Sequence, residues 1–293
     1  MLPLFSYQPG IMIIFKTIAP LREFLERNRQ HRQSIGFVPT MGALHEGHIS
    51  LIRQSRSENA LTVCSIFVNP TQFNNPEDFA KYPKTVERDI DLLEAAGCDI
   101  LFLPEPATIY PPDYVPQHYD LGYIESLWEG AHRPGHFQGV CQVVDRLLDI
   151  TRPTHLYLGR KDYQQCMVIA RLIEIRQLPV ILRIADTVRE PDGLAMSSRN
   201  MRLNASDRKT ATTIYQVLIH LQEHLRPGST TALIKDGRSM LEDNGFIVDY
   251  VAIADARSLE PVAEWNGKQP LVALIAAHLQ QVRLIDNMIL QGA

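Results

Sequence analysis

The feature that most constrains the fold is an alternation of two kinds of segment along the first two-thirds of the chain. Short apolar runs lie at 34–38, 61–68, 99–103, 154–159 and 179–188, and amphipathic runs lie at 48–60, 85–97, 136–150 and 161–178. Apolar runs of this length are typical of buried strands, whereas the longer runs repeat their apolar residues at helical spacing. Strands that alternate with helices predict β–α–β units. We therefore expect an α/β protein with a Rossmann-like parallel sheet and helices on both faces.

The second amphipathic run, TVERDIDLLEAAG, predicts the two ends of its helix as well as the helix itself. Val86, Ile90 and Leu93 fall on one face of a helix. Thr85 is suited to cap the start of that helix, and Gly97 is suited to end it. The sequence thus predicts both the helix and its two ends.

The regular alternation of short apolar runs and amphipathic runs ends after the segment REPDGLAMSSRN at 189–200. A long helical run and two strand-like runs follow, at 205–225, 246–256 and 270–279. These runs are typical of a second, smaller α+β unit. We place the boundary near residue 187. This gives a larger domain, 1–186, and a smaller C-terminal domain, 187–293, which carries the MSSR segment.

Composition and charge argue against several classes of function. The net charge is −4, so no general attraction to nucleic acid is expected. The N-terminus lacks a basic region and is interrupted by Pro9-Gly10, so we expect no signal peptide. No apolar run approaches the roughly 20 residues that span a bilayer, and we expect no membrane partner. The four cysteines are too far apart in sequence for a metal knuckle or a compact disulfide framework, which favours the cytoplasm: Cys64, Cys98, Cys141 and Cys166.

The segment PTMGALHEGHISLI, residues 39–52, is the strongest candidate for a functional site. It begins where the first parallel strand ends, and it opens the first helix of the series. Backbone N–H groups at a helix start attract anions, and Gly42 and Gly47 allow a ligand to approach the backbone. His45 and His48 lie one helical turn apart and can face one ligand. This arrangement suits polarisation of a phosphate and stabilisation of the charge that develops on it.

Two other interpretations of this histidine pair remain open from the residues alone. His45 and His48 could simply be polar residues in the first turn of a helix. They could also bind a metal ion, although no third ligand occurs at the local spacing of a zinc site.

Three further segments place polar residues at the ends of strands or in loops. FVNPTQFN offers Asn69, Gln72 and Asn74 after the second strand of the series, and GRKDYQQ places Lys161 at the start of a helix. Lysine at such a turn commonly meets phosphate, although the neighbouring aspartate could equally be a plain N-cap. MSSRN, at 196–200, gathers two hydroxyls and a guanidinium. Ligands of parallel sheets bind beyond the carboxyl ends of the strands, so these segments predict one shared site.

Taken together, the segments resemble the pantoate–β-alanine ligases, or pantothenate synthetases, of the nucleotidylyltransferase superfamily. The matching blocks are PTMGALHEGH, FVNPTQF, RPGHFQGV, KDYQQ and EPDGLAMSSRN, in the order that the family has them. The resemblance extends from about Lys16 to VRLIDN at 282–287. It implies ATP-dependent condensation of (R)-pantoate with β-alanine through a pantoyl adenylate, which gives pantothenate, AMP and pyrophosphate. It also implies Mg²⁺ with the ATP, and a homodimer.

The resemblance assigns roles to individual residues. The first ATP segment is Met41, Gly42, Ala43, Leu44, His45, Glu46, Gly47 and His48. The remaining ATP-binding positions are Gly159, Arg160, Lys161, Asp162, Val188, Met196, Ser197, Ser198 and Arg199. Among these, His48, His45 and Lys161 are the expected catalytic residues, and Gln72 and Gln165 are expected to bind pantoate. The ligands of the metal are not identified by the sequence.

The chain departs from the family pattern in three places. Arg160 stands where the family usually has glutamate. In an extended entry to the helix its side chain points away from that of Lys161, so we expect the change to be tolerated. Cys141 replaces a small polar residue in an amphipathic helix, and we interpret it as a packing residue rather than a redox group. Residues 1–11 precede the usual start of the family and form an extra segment.

Two rival functions remain to be separated from the ligase. A nucleotidylyltransferase would transfer AMP to a phosphate, but the amides of Gln72 and Gln165 do not suit a phosphate acceptor. A nucleotide-binding protein without activity would not need His45, His48 and Lys161 directed at the phosphates. An assay with ATP, pantoate and β-alanine separates the three.

Overall fold

The computed structural model of the protein describes residues 11–74 and 76–290. Residues 1–10, which make up nearly all of the extra N-terminal segment, lie outside the described residues. The helices in the described part are α1 Ile18–Gln30, α2 Glu46–Glu58, α3 Pro76–Ala80, α4 Val86–Ala95, α5 Pro106–Ile109, α6 Trp128–His132, α7 His136–Thr151, α8 Tyr163–Arg176, α9 Ala205–Thr210, α10 Thr213–His224 and α11 Thr231–Asp243. The strands are β1 Ile13–Phe15, β2 Ile35–Thr40, β3 Leu61–Ile66, β4 Ile100–Phe102, β5 His155–Gly159, β6 Ile181–Ala185, β7 Gly228–Ser229, β8 Ile247–Asp255, β9 Glu264–Trp265, β10 Leu271–Leu279 and β11 Val282–Ile289.

Packing divides the described chain into two compact units. The first comprises residues up to Asp120 together with Gly135–Gly159 and Ile169–Ala185. The second comprises Leu121–Pro134, Arg160–Val168 and the residues from Asp186 onward. The division into domains 1–186 and 187–293 stays a prediction from the sequence.

The first unit contains a parallel sheet with the strand order β1-β4-β3-β2-β5-β6 within the described residues. Val38, Cys64 and Leu101 lie side by side in its register and pack with Leu51 and Leu93 of the helices α2 and α4. Side chains alternate across a strand, so the neighbouring row of side chains must point to the opposite face. That row is Phe37, Val63 and Ile100, and it is fully buried as well. Burial of both faces is the pattern expected for a parallel sheet covered by helices, and it confirms the predicted fold class.

The second unit contains an antiparallel sheet with the order β11-β10-β8 in the part of the chain that the structure describes. Its core includes Leu218, Leu241, Ile253 and Ile275, which pack α10 and α11 against the sheet. A smaller α+β unit was predicted here, and the antiparallel sheet with helices confirms it.

Several local predictions need correction. The helical run predicted over 205–225 is two helices, α9 and α10, which separate within TATT at 210–213, where β-branched threonines disfavour a continuous helix. Thr85 occupies the N-cap of α4 but makes no side-chain cap bond, because its hydroxyl donates to Asp89 instead. Gly97, with φ of 75°, lies just beyond the end of α4, as predicted.

The strand β11 was not predicted because its hairpin lacks the usual turn residues. Gln280 and Gln281 connect β10 to β11, and Gln280 has a φ of 52°. Glycine and asparagine favour that conformation. Because neither occurs in this turn, the sequence did not predict a hairpin. No helix among the described residues is long and apolar enough to cross a membrane.

Candidate active site

A tight turn at the carboxyl end of β2 carries the first predicted ATP segment. Gly42 and Ala43 both have positive φ, 79° and 49°, so the backbone here is strained for alanine. The carboxylate of Asp89 on α4 accepts hydrogen bonds from Ala43 N at 2.9 Å and Leu44 N at 2.8 Å. Asp89 is only 1% exposed. A buried carboxylate from another helix therefore fixes the conformation of this turn.

The turn leads into α2 with the two histidines side by side. His45 is the N-cap residue and His48 is the third helical residue, and their side chains form a reciprocal capping box. His48 Nδ1 accepts from His45 N at 3.3 Å, and the ring centroids are 4.1 Å apart. When Nδ1 of a neutral imidazole accepts, the proton resides on Nε2. The helix start thus sets His48 as an Nε2–H donor, and the capping and catalytic interpretations of this pair are compatible.

A buried amide beside the carboxyl end of β3 orients Gln72. Asn69 is 1% exposed, and its Nδ2 donates to Gln72 Oε1 and to the Gly139 carbonyl oxygen, both at 3.1 Å. Its Oδ1 accepts from Tyr110 Oη at 2.9 Å. With Oε1 engaged, Gln72 Nε2 lies 3.2 Å from Met41 Sδ. These contacts bring the predicted pantoate residue together with the first residue of the predicted ATP segment.

Gly139 on α7 is required for this close approach. A Cβ there would lie 2.3 Å from the Thr71 carbonyl oxygen, which no side chain could tolerate without movement of the backbone. The glycine of the RPGHFQGV block thus lets α7 pack against the turn Pro70–Gln72.

In the second unit, a short 3-10 turn, Arg160–Asp162, carries the expected phosphate lysine. The extended entry to the helix predicted from the sequence is therefore wrong. Successive side chains on a 3-10 turn still point about 120° apart, so Arg160 and Lys161 diverge. Arg160 Nη1 pairs with Asp186 Oδ1 at 2.5 Å, and Lys161 Nζ lies 3.7 Å from Asp162 Oδ1. Gly159 is the last residue of β5, and Gln165 lies half-buried in the first turn of α8.

The remaining predicted ATP residues lie on a hairpin and the turn that follows it. Met196 N donates to the Val188 carbonyl oxygen at 3.0 Å, which closes the hairpin. Ser197 caps the 3-10 helix Ser198–Arg202 by accepting from Arg199 N at 3.3 Å. Gly193, with φ of 92°, sits where a Cβ would lie 2.0 Å from the ring of Tyr215. A backbone hydrogen bond and close packing on Tyr215 thus help to shape the hairpin that leads into the two serines and Arg199.

The second unit also contains a buried charge cluster. Glu129 on α6 accepts from Arg283 Nη1 at 2.9 Å and Nη2 at 2.7 Å, and from Tyr250 Oη at 2.9 Å. Burial alone would raise the pKa of Glu129. The hydrogen bonds and charge of Arg283, the charge of Arg133 and the hydrogen bond from Tyr250 outweigh it and lower that pKa to about 2. Glu129 is therefore ionised at any ordinary pH.

Arg133 connects this cluster to both predicted ATP segments of the second unit. Its Nη1 lies 3.6 Å from Glu129 Oε2. The pKa of Arg133 lies below its ordinary value, and burial is the largest cause. The nearby charge of Arg199 also lowers this pKa, whereas the charges of Glu129 and Asp162 raise it. Two arginines close enough to repel each other favour an anion beside them.

The structure adds functional candidates that the site prediction omits. Asp89 and Glu129 are carboxylates that hold other parts of the site, and Asn69 and Arg133 contact or face predicted site residues. Asn69 stood in a segment that was singled out, and Arg133 stood in the RPGHFQGV block. No sequence signal marked Asp89, which lies within an ordinary amphipathic helix.

No group of three or more His, Cys, Asp or Glu side chains in residues 11–74 and 76–290 is arranged to hold a metal ion. The interpretation of His45 and His48 as part of such a protein-built metal site therefore finds no support in this part of the chain.

Comparison with known proteins identifies the family. Residues 13–289 match the profile of the pantoate-beta-alanine ligase family. The pantothenate synthetase of Magnetococcus marinus is 48% identical over 268 residues, 90% of this chain and 92% of that protein. The enzyme of the same name from Cytophaga hutchinsonii is 44% identical over 284 residues, 95% of this chain and 99% of that protein.

Solved structures agree with these sequence relatives. The pantothenate synthetase structure from Thermus thermophilus superposes with a TM-score of 0.89 at 40% identity, covering 96% of this chain and 100% of that one. A pantoate-beta-alanine ligase from Francisella tularensis, complexed with beta-gamma ATP and beta-alanine, superposes with a TM-score of 0.80 at 38% identity, over 97% and 99% of the two chains. The resemblance inferred from the five motif blocks is confirmed, and the chain belongs to the pantoate–β-alanine ligase family.

Proposed function

We propose that this protein condenses (R)-pantoate with β-alanine in an ATP-dependent reaction that gives pantothenate, AMP and pyrophosphate. The observation that carries the proposal is the paired imidazoles at the start of α2, in a chain that matches the ligase family over residues 13–289. The ligase from Francisella tularensis is described as a complex with an ATP compound and β-alanine, which are the expected ligands here.

The reaction divides into two displacements. A carboxylate oxygen of pantoate attacks the α-phosphorus of ATP, a new carbon–oxygen–phosphorus linkage forms, and pyrophosphate leaves. The amine of β-alanine then attacks the carbonyl carbon of the adenylate, loses a proton and displaces AMP. A free carboxylate is a poor electrophile toward an amine, so the mixed anhydride supplies the activation.

His48 acts on the first displacement as a hydrogen-bond donor. Its Nδ1 accepts a hydrogen bond from the N-cap backbone, so Nε2 carries the proton that we assign to an α-phosphate oxygen as charge develops there. His45 supports it at the phosphates. Both imidazoles are held on the rigid start of a helix, which avoids reorganisation during the reaction.

Gln72 and Gln165 bind pantoate through neutral amides. Amides give directional hydrogen bonds to the hydroxyls and carboxylate of a hydroxy acid without competing as nucleophiles. The orientation of Gln72 is supported by Asn69, whose Nδ2 holds Oε1 of Gln72 at 3.1 Å. An acceptor that carried a phosphate would instead call for cations, which argues against a nucleotidylyltransferase.

The second unit supplies the groups that neutralise the triphosphate. Lys161 is a point charge for phosphate oxygens, whereas Arg199 offers a planar fork of donors. Met196 belongs to the same phosphate loop, Ser197 and Ser198 add hydroxyl donors, and Val188 contacts the adenosine. The position of Arg133 near Arg199 strengthens the positive field at this loop.

Magnesium accompanies ATP in this proposal. Mg²⁺ at nucleotide sites usually keeps several waters and uses phosphate oxygens with one or two carboxylates, so it needs no cage of protein ligands. Asp162 offers one such carboxylate, with a side chain 47% exposed, on the turn beside Lys161. This donor set fits the ion, whose contribution is to offset negative charge on the phosphates.

We also propose a cytoplasmic homodimer. The four cysteines are buried free thiols, which suits a reducing compartment, and homodimers are implied by the family resemblance. Light scattering of the purified protein at micromolar concentration tests this, since a mass equal to one chain contradicts the dimer.

The proposed function is tested by mixing the protein with Mg²⁺, ATP, pantoate and β-alanine and following AMP and pantothenate. Equal amounts of both products, with neither formed when one substrate is left out, support the ligase. Transfer of AMP to a phosphate monoester that replaces pantoate in a parallel assay would identify a nucleotidylyltransferase. Nucleotide binding with no product at all would identify a protein that only binds.

A further inference from the structure

A buried asparagine near the end of β11 holds the turn that carries Lys161. Asn287 Nδ2 donates to the carbonyl oxygen of Arg160 at 2.9 Å and to that of Lys161 at 2.7 Å. Asn287 is 4% exposed, so water competes little for these bonds. Both protons of one amide are thus committed to two successive carbonyls of a single turn.

This turn needs an external partner. A 3-10 segment of three residues has poorer hydrogen-bond geometry than an α-helix and little stability of its own. The long side chain of Lys161 adds four flexible bonds between the backbone and the ammonium group. The position of that ammonium therefore depends on how firmly the backbone of Arg160 and Lys161 is held.

The residue before Asn287 holds a different predicted ATP segment. Asp286 Oδ2 accepts from Arg189 Nη1 at 2.6 Å, and Oδ1 accepts from Nη2 at 3.1 Å. Arg189 also donates to the carbonyl oxygen of Gly193 at 3.0 Å. Arg189 directly follows Val188, so this fork fixes the hairpin that joins Val188 to Met196 and leads into the two serines.

The two residues also contact each other through the same network. Asn287 N donates to Asp286 Oδ1 at 2.8 Å, and Arg189 Nη2 lies 3.3 Å from the Asn287 carbonyl oxygen. Side chains alternate across a strand, so the carboxylate and the amide reach segments on opposite faces of β11. One dipeptide therefore links the turn Arg160–Asp162 to the hairpin between Val188 and Met196.

The side-chain oxygen of Asn287 gives a clue to the role of this residue. Asn287 Oδ1 is buried and meets no donor among the described residues. A buried acceptor without a partner destabilises the folded state, and an apolar side chain of similar size would avoid that loss. Asparagine at this position is thus poorly explained by stability alone, and well explained by the two bonds that its Nδ2 makes.

We propose that Asp286 and Asn287 are positioning residues that set the two phosphate-binding segments of the second unit in register for ATP. The inference rests on the proposed function, because that function assigns Lys161, Val188 and Met196 to the nucleotide. Neither Asp286 nor Asn287 touches substrate in this proposal; both act through the backbone of residues that do.

The test compares variants by their Kd for the Mg²⁺ complex of α,β-methylene-ATP, measured by calorimetry well below each melting temperature. Asn287→Asp keeps the size of the side chain but turns an acceptor toward two carbonyl oxygens, and we expect at least a tenfold weaker Kd. Asn287→Ser keeps one donor and should fall between Asn287→Asp and the wild type. Asp286→Asn, which removes the charge facing Arg189, should weaken binding at least threefold.

Leu284→Ala is the matched control. Leu284 lies on the same strand and is buried in the apolar core of the second unit, where it takes no part in the hydrogen bonds of Asp286 and Asn287. Its truncation should lower the melting temperature as much as the Asn287 variants do or more, yet leave the Kd within twofold. In steady state, the Asn287 variants should raise KM for ATP while KM for β-alanine stays within twofold.

Four outcomes overturn or separate the two proposals. An unchanged Kd in a folded Asn287→Asp or Asn287→Ser variant shows that Asn287 only stabilises the fold, and the inference fails. If Leu284→Ala weakens nucleotide binding as much as the Asn287 variants do, the inference fails as well. If the wild type binds the analogue and the variants behave as expected but no pantothenate forms, the positioning role stands and the proposed function fails. Absence of nucleotide binding by the wild type overturns both.

Discussion

His48 combines two tasks at the level of a single side chain, and they can be separated experimentally. As the third residue of α2 it completes the capping box, and as an Nε2–H donor it is proposed to act on the α-phosphate. Glutamine at this position of a helix can also close a capping box, but it has no imidazole. The substitution His48→Gln therefore tests catalysis with the helix cap preserved.

We expect His48→Gln to lower kcat at least ~10²-fold, the usual scale for one transition-state donor, with little change in melting temperature. His48→Ala should lose the same activity and, in addition, the cap, which contributes about 1 kcal/mol. His31→Ala, at the exposed end of α1, is the control and should change neither quantity. Near-normal kcat in His48→Gln would show that the histidine serves only as a cap.

Arg160 tests how far the family pattern can be carried over residue by residue. Its ion pair with Asp186 lies at the surface, where such pairs contribute about 0–1 kcal/mol. We predict that Arg160→Glu, which restores the usual family residue, changes kcat/KM for ATP by less than about threefold, or ~0.7 kcal/mol. Asp186→Asn removes the same pair without adding a charge, and serves as the control. A tenfold rise in KM for ATP in Arg160→Glu alone would mean that Arg160 itself binds phosphate.

At the level of elements, one carboxylate ties α6 to the sheet of the second unit. Glu129 on α6 meets Tyr250 of β8 and Arg283 of β11. Its pKa falls from the ordinary value of 4.5 to about 2 in the folded protein. The folded state therefore favours the ionised form, and this contribution to stability is complete above about pH 4.5. It is lost as the pH falls toward 2, and a shift of this size corresponds to about 3 kcal/mol.

The acid sensitivity of the second unit should follow this carboxylate. We predict that the free energy of unfolding of the wild type falls between pH 5 and pH 3, and that Glu129→Gln is less stable at pH 7 and shows a shallower fall. Urea titrations at a series of pH values measure both. Glu242→Gln, which removes an exposed carboxylate on α11, should retain the wild-type pH dependence. Parallel pH curves for the wild type and Glu129→Gln would contradict the assignment.

At the level of the whole molecule, the order of the two displacements is the property to test. The adenylate mechanism predicts a burst of about one pyrophosphate per chain when ATP and pantoate are mixed with the protein before β-alanine is added. Rapid-quench measurement of pyrophosphate over a single turnover detects it. Release that requires β-alanine from the start would exclude an adenylate formed ahead of the amine.

The sequence by itself determined the features that arise from local periodicity. Buried strands next to amphipathic helices predicted the parallel sheet, because strands buried on both faces, such as β2 and β3, carry no charged residue on either face. The three-residue spacing of His45 and His48 at a helix start placed their imidazoles together, since residues one turn apart share a face. The motif blocks predicted the family, which the comparisons confirm.

Only the tertiary structure decided which groups hold the candidate site in shape. Asp89 reaches Ala43 across 46 residues, Glu129 reaches Arg283 across 154, and Asn287 reaches Lys161 across 126. None of these pairs leaves a trace in hydrophobic periodicity, which reports only which face of an element is buried. A hydrogen bond depends on distances of a few tenths of an ångström between elements, and those distances are set by how helices and strands pack after they form.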